Sequence, residues 1–364
     1  MPLPSFNVAD YPAQLANKAA QFKADFAAFG LPELTIHSSA TQHYRLRAEF
    51  RIWHQNERVF YAMFDPEQPK RPVIIDDFPA ASTTICAAMP NLLRELEASE
   101  TLRARLFQAN FLSTLSGELL ITLLYHRQLD EAWEEAAQAL GKKLGAQIVG
   151  RSHKQKIVIG RDCLLEEFEL NGRTLRYQQI EGSFTQPNGG INRQMLGWAC
   201  QQASSLGGDL LELYCGNGNF TMALAPLFGR VLATEVSKTS VHAAHYNITA
   251  NGVENIAMVR MSSDEISGAL AGVRAYNRMK DIDLAAYRFS TLFVDPPRAG
   301  LDTPTLALAS GFANILYISC NPQTLRENVA ALNTTHTIAA AAVFDQFPYT
   351  HHLECGLLLT RRDL

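Results

Sequence analysis

From about residue 185 onward the chain alternates short apolar runs with helical stretches, and no other feature narrows its fold as much. DLLELY, RVLATEV, TLFVDPP and ILYISC are separated by segments such as KTSVHAAHYNITANG. Apolar strands alternating with helices predict a parallel, doubly wound sheet, an α/β fold of Rossmann-like type. Ligands of such sheets bind at the carboxyl ends of the strands. The pattern begins after SFTQPN, which divides the 364 residues into an expected first domain over 1–184 and a second over 185–364. A hydrophobic content of 47% suffices for two cores.

The first stretch has a different texture. Leu15, Ala19, Phe22, Phe26 and Phe29 recur at helical spacing and end at Gly30, predicting an amphipathic N-terminal helix. In HYRLRAEFRIW, Tyr44, Leu46, Ala48, Phe50 and Ile52 alternate with Arg45, Arg47, Glu49 and Arg51, predicting a strand with one basic face. Further strands are expected at 60–64, in FQANFLSTL and ELLITLLYH around Ser116-Gly117, and in FELNGRTLRYQ, where Asn171-Gly172 suits a tight hairpin. With helical patterns at 82–98 and 130–144, the first 184 residues predict an α+β domain on antiparallel strands. No internal repeat is visible. A short alanine run at 339–342 is expected to open a strand.

Composition removes several classes. No run of about 18 apolar residues suggests a membrane span, and MPLPSFNVADYPAQL has no leader pattern, so a cytoplasmic protein is expected. The six cysteines are scattered without a C-x-x-C, which predicts free thiols and neither a metal site nor an iron-sulfur cluster; Cys86 and Cys200 are expected to be buried and inert. A net charge of −4 and a pI near 6.2 argue against indiscriminate coating of nucleic acid and leave room for a local basic surface.

The second half carries the chemistry. CGNGNF follows a strand and opens a helix, and Gly216 and Gly218 let the backbone approach a ligand. Thr221 stands where a dinucleotide fingerprint has its third glycine, which disfavours NAD. Glu235 ends the next strand, where an acid can hold ribose hydroxyls, and Asp295 ends a third before a stiff Pro-Pro pair. Singly, each of these has an ordinary structural explanation; together in one βαβ unit they describe a site for an adenosyl cofactor. ILYISC delivers Cys320 to the same rim, and a useful thiolate there needs a nearby cation, for which Arg298 is a candidate. His351 and His352 invite a metal reading, but as neighbours on a strand they would point to opposite faces.

SFTQPN, LLELYCGNGNF, FVDPPRAGLD, YISCNP and FDQFPYTHHLECGLLL, in this order, closely resemble the tRNA (uracil-5-)-methyltransferases, from HYRLRAEFRIW to the C-terminus. The resemblance implies that Gln186, Tyr214, Asn219, Glu235 and Asp295 hold S-adenosyl-L-methionine, that Cys320 is the nucleophile and that Glu354 is the general base. Carbon 5 of uracil is too weak a nucleophile to accept a methyl group unaided. Thiolate addition at carbon 6 activates it, and a base must then remove the carbon 5 proton before the sulfur can leave. Ribosomal-RNA relatives usually carry a cysteine cluster and an extra N-terminal barrel; neither is visible, which favours tRNA, with uracil 54 of the T loop implied as the target and tmRNA as a further candidate substrate.

Such a uracil must be flipped out of its stack. Arg45, Arg47, Arg51 and Arg298, together with Lys142, Lys143, Arg151, Lys154, Lys156 and Arg161 in an acid-free stretch, are candidate phosphate contacts. Phe107 and His126 fall in segments matching the family's RNA-contacting strands, Phe107 being either a stacking platform or a core residue. A monomer is expected. The alternatives are a ribosomal-RNA uracil methyltransferase, an amino-directed methyltransferase (against which Asp295-Pro296-Pro297-Arg298 stands), a cytosine-directed RNA methyltransferase (which would usually have a second cysteine near that loop), a nicotinamide oxidoreductase, and an RNA-binding or RNA-folding module on a methyltransferase fold.

Overall fold

The structure, a computed structural model, describes residues 7–64 and 71–362. Residues 1–6 and 363–364, at the outer ends of the two expected domains, lie outside that range. The chain opens with helix α1 (Tyr11–Phe26), a short turn closed by Gly30 in the left-handed region, and strand β1 (Leu34–His37). There follow β2 (Arg47–Gln55), β3 (Arg58–Phe64), β4 (Pro72–Ile74), α2 (Thr83–Ala98), α3 (Glu100–Arg103), β5 (Leu106–Ser113) and β6 (Leu119–Tyr125). Then come α4 (Glu131–Leu144), β7 (Gln147–Ser152), β8 (Gln155–Ile159) and the hairpin β9 (Cys163–Leu170) and β10 (Arg173–Ile180). The hairpin turns on Asn171 and Gly172, both at positive φ as its two-residue turn requires.

The chain forms two compact units. The first, built on residues 40–168 and 179–189, carries a seven-stranded sheet in the order β4-β3-β2-β5-β6-β7-β8. Its pairs are antiparallel except β6 with β7, which α4 connects as a crossover. Helices α2 and α4 start on Ser82 and Asp130, whose side chains accept the Ile85 and Trp133 backbone N–H groups. Their apolar faces, through Ile85, Leu92, Leu96, Trp133 and Leu140, pack with Phe50, Phe111 and Ile121 of the sheet. This is the expected α+β arrangement, and Tyr44, Leu46, Ala48, Phe50 and Ile52 are all buried as their alternation predicts.

The second unit contains α5 (Gly189–Ala203), β11 (Asp209–Leu213), α6 (Asn219–Leu224), β12 (Val231–Thr234), α7 (Lys238–Asn251), β13 (Ile256–Val259) and α8 (Ser263–Leu270). It continues with β14 (Phe289–Val294), α9 (Thr303–Ala309), β15 (Asn314–Ser319), α10 (Pro322–Leu332), β16 (His336–Phe344) and β17 (Glu354–Arg361). The eight strands run β1-β16-β17-β15-β14-β11-β12-β13, parallel except for β17, which is antiparallel to both neighbours. The strand order reverses at β11, between β12 and β14, and this is where ligands of such sheets bind.

The division is not linear in sequence. Residues 7–39, expected with the first domain, belong to the second unit: β1 pairs parallel with β16, Leu34 facing Ala341, and Phe22 and Phe26 are buried in that unit's core. The amphipathic pattern of α1 revealed a buried face but carried no information about which core receives it. The hairpin tip, 169–178, is also assigned there. The alanine run lies in the middle of β16 instead of at its start.

In the first unit, Gly150 on β7 leaves room for the Trp133 indole; a Cβ at this position would overlap the ring. We therefore expect Gly150→Ala to destabilise the fold by about 1–3 kcal/mol through overpacking, measured as a lower urea midpoint with unchanged slope.

Candidate active site

Strand register aligns the site. Leu213 of β11 pairs with Thr234 of β12 and with Val294 of β14, so the residues that follow them, Tyr214, Glu235 and Asp295, emerge at one level of the carboxyl rim. Tyr214 turns the chain through a positive φ of 59°, and Gly216 and Gly218 continue the turn at 58° and 82°. An added Cβ at Gly218 would sit 3.0 Å from the Met222 side chain, whereas Gly216 faces open space. Glu235 folds back over this turn: one carboxylate oxygen accepts from the Gly216 N–H (3.0 Å), the other from the Val236 and Ser237 N–H groups (2.8 and 2.7 Å). Asn219, at the start of α6, exchanges two amide hydrogen bonds with Asn192 of α5 (2.8 and 3.0 Å).

Beneath the turn sits a group that the sequence reading passed over. Glu212 on β11 is fully buried, and neither of its oxygens has a hydrogen-bond partner of good geometry among the described residues. Burial pushes its carboxyl up to about 8 against an opposing pull from Thr221, whose own hydroxyl is likewise without a well-placed partner. An acid inside an otherwise apolar strand was the available signal. Orphaned buried acceptors, a glycine turn open on one side and three acids within one βα unit and its neighbour fit a ligand that brings donors and positive charge. S-adenosylmethionine has both.

The nucleophile and base candidates meet through β17. In the antiparallel ladder Ser319 pairs with Cys355, so one step further places Cys320 opposite Glu354. Directly opposed side chains share a face, with Cβ atoms about 4.5–5.5 Å apart. Cys320 is half-buried and Glu354 is 8% exposed. Burial first, then the charges of Glu354 and Asp295, push the Cys320 thiol up to about 11, with Arg298 opposing. Burial likewise raises Glu354 to about 8 and Asp295 to about 7. The expectation of a lowered thiol is thus corrected for the free protein: the cation is present, but two carboxyls and desolvation outweigh it.

Arg298 is held from both ends. Its carbonyl accepts from the Asn321 amide (3.0 Å) and the Thr324 hydroxyl (3.2 Å), and its guanidinium donates to Nδ1 of His352 (2.6 Å). His352 is driven down to about 4 by burial and by the charges of His351, Arg298 and Lys18, so it accepts as a neutral ring. His351 and His352 are in the loop before β17, not on a strand, and their ring centroids are 4.2 Å apart; the opposite-faces reasoning was wrong. No cluster of three or more His, Cys, Asp or Glu suited to a metal occurs among the described residues.

The remaining candidates lie in the first unit. Gln186 is part-buried there. Phe107 stacks on the exposed His126 ring (centroids 3.9 Å, 12° between planes), and Arg51 lies 5.5 Å over the Phe107 face. Phe107 is thus only partly buried and is not a core residue. Arg45 and Arg47 are part-buried and bond to the carbonyls of Arg47 and Ser183, so the basic face is narrower than the alternation suggested. Acids distant in sequence answer most of the acid-free stretch: Arg151 meets Glu181, Arg161 meets Glu118 and Lys143 meets Glu95, while Lys156 meets Asp162 just past the stretch (2.7 Å) and Glu181 (3.5 Å). Lys142 and Lys154 are exposed. Cys86 is half-exposed instead of buried, its thiol directed at the Phe78 and Ala81 carbonyls, while Cys200 is buried.

Because Cys320 titrates near 11, its alkylation by iodoacetamide should rise about tenfold per pH unit from pH 7 to 9. Arg298→Met removes the one opposing charge and should slow site-specific alkylation at pH 8, read by peptide mass spectrometry; an unchanged rate would show that Arg298 does not act on the thiol.

Comparison with known proteins accords with this geometry. The model of the family described as tRNA (Uracil-5-)-methyltransferase matches residues 10–362. The tRNA/tmRNA (uracil-C(5))-methyltransferase of Aromatoleum aromaticum is 69% identical over 100% of this chain and 98% of its own. That of Dechloromonas aromatica is 67% identical over the full length of both. A Pyrococcus abyssi tRNA (uracil-54, C5)-methyltransferase, solved with S-adenosyl-L-homocysteine, shares the fold with a TM-score of 0.73 at 20% identity, over 96% of this chain and 83% of that one. A match spanning nearly every residue, motifs and rim included, makes this chain a member of the tRNA (uracil-5-)-methyltransferase family.

Proposed function

We propose that the protein methylates carbon 5 of uracil in tRNA and tmRNA, with S-adenosylmethionine as methyl donor, Cys320 as nucleophile and Glu354 as base. The reading is carried by the opposition of Cys320 and Glu354 across β15 and β17, beside the Asp295 end of β14. The substrate classes follow the names of the relatives, and uracil 54 of the T loop follows the family resemblance. The enzyme is taken to act as a cytoplasmic monomer; no helix among the described residues is long and apolar enough to cross a membrane.

Gln186, Tyr214, Gly216, Gly218, Asn219, Glu235 and Asp295 would hold the cofactor, which supplies an electrophilic methyl group at the rim. Burial raises Cys320, Glu354 and Asp295 in the free protein, with the Asp295 charge adding to Glu354 and both carboxyls adding to Cys320, and positive charge brought beside them favours the ionised forms. The Cys320 thiolate adds to carbon 6 of a flipped uracil and creates an enolate nucleophilic at carbon 5. After methylation the carbon 5 proton is acidic, and Glu354 takes it. A carboxyl titrating near 8 is a stronger base than an ordinary one once ionised. Electrons then return through the ring and expel the sulfur. The first unit serves RNA recognition: Phe107, His126 and Arg51 form a stacking platform with a cation, and Arg45 and Arg47 contribute charge, as Arg298 does in the second unit.

A T-arm RNA carrying 5-fluorouracil, whose fluorine cannot leave as a cation, should form a denaturation-resistant adduct with the protein and cofactor, and Cys320→Ala should abolish it. On ordinary RNA, Glu354→Gln should lower turnover by about 10²–10⁴-fold and accumulate the adduct. Rapid turnover by that variant would remove Glu354 from the role.

A further inference from the structure

Lys18 of α1 reaches the loop between β16 and β17 and spends all three ammonium protons there. It donates to Asp345 Oδ1 (2.7 Å), to the Phe347 carbonyl (3.2 Å) and to the His352 carbonyl (2.9 Å). The Lys18 and Asp345 side chains are 11% and 1% exposed. An ammonium carries three donors, and taking one out of water is costly unless each finds an acceptor. Here the acceptors come from three points within residues 345–352 of one loop, so the cation acts as a template for the loop's shape.

The surrounding contacts support the same segment. The Asp345 N–H donates to the His37 carbonyl at the end of β1, and the Tyr11 ring lies 5.8 Å from that of Tyr349. The Tyr11 phenol accepts from the Ser39 N–H (2.8 Å), and burial followed by the Asp345 charge raises it above its usual range. Near the end of the loop His352 receives the Arg298 guanidinium, and β17 opens two residues later at Glu354.

We propose that Lys18 is a positioning residue for the catalytic pair: by fixing the 345–352 loop it sets Glu354 opposite Cys320 and presents His352 to Arg298. This rests on the roles of Cys320 and Glu354 proposed above. A displacement of about 1 Å at a reacting group can cost on the order of 10²-fold in rate, so loss of the clamp should be visible in chemistry before it is visible in binding.

The test compares full-length wild type, Lys18→Met, Asp345→Asn and the double variant on unmodified T-arm RNA, well below each melting temperature. Lys18→Met is expected to lose about tenfold or more in kcat, with KM for S-adenosylmethionine within about threefold. It should also accumulate the covalent RNA adduct on ordinary uridine, the signature of a displaced base. The double variant separates clamp from neutraliser. If Lys18 served only to balance the buried Asp345, removing both charges would restore turnover; as a clamp on two carbonyls it should not be restored. Should Lys18→Met fail to fold, Lys18→Gln, which can still donate to one carbonyl, should show the same adduct with a smaller loss of kcat. Wild-type kcat without adduct in whichever variant folds, or full recovery in the double variant, overturns the proposal. Absence of 5-methyluridine from the wild-type reaction would instead refute the proposed function.

Discussion

The arrangement of this site depends on one reversed strand. In a sheet of parallel strands every carboxyl end lies at the same rim and every amino end at the other, so a residue that begins a strand cannot reach a ligand at the rim. β17 runs the opposite way, and its first residue, Glu354, therefore arrives where β15 delivers Cys320. The two side chains are opposed by the register of the ladder, at the point where the loop clamped by Lys18 enters it. The β14 end contributes Asp295 alongside; burial raises all three groups, and the two carboxyls add to the shift of Cys320.

A cation at the rim opposes these shifts. Arg298 is the charge that opposes the upward shift of both Cys320 and Glu354, and it is anchored by Asn321 and Thr324 at the start of α10 and by a neutral His352. A histidine kept unprotonated beside an arginine can accept its hydrogen bond without adding a competing positive charge. The sheet thus supplies the reacting groups, and the loops at its rim supply the field that tunes them.

Much of this was legible in the sequence because it is local. The alternation of apolar runs with helices specified a doubly wound sheet, helical patterns at 82–98 and 130–144 located α2 and α4, and the motif order indicated the family. What remained hidden was pairing between residues far apart in the chain. Nothing near Lys143, Arg151 or Arg161 announces Glu95, Glu181 or Glu118, so a stretch without acids looked like a bare basic surface. The pattern of α1 gave its buried face but not its neighbours, and the upward shift of Cys320 needs three strand ends to be known at once. Glu212 was a different case: it stood inside a motif that was read for its glycines.

The pairing of β1 with β16 has a consequence for how the protein is made. Leu34 must wait for Ala341 before its backbone bonds can form, whereas strands β2 to β8 find all their partners within the first half of the chain. During synthesis the first unit can therefore assemble while the opening helix and strand are still unsheltered, since contacts between distant segments form late. Only a ribosome that has nearly finished its message releases the segment those residues need. A product truncated before β16 would keep the Lys18 clamp but lack the strand that β1 needs and the loop and Glu354 that the clamp holds, so the opening segment and the reactive end of the chain become ordered together.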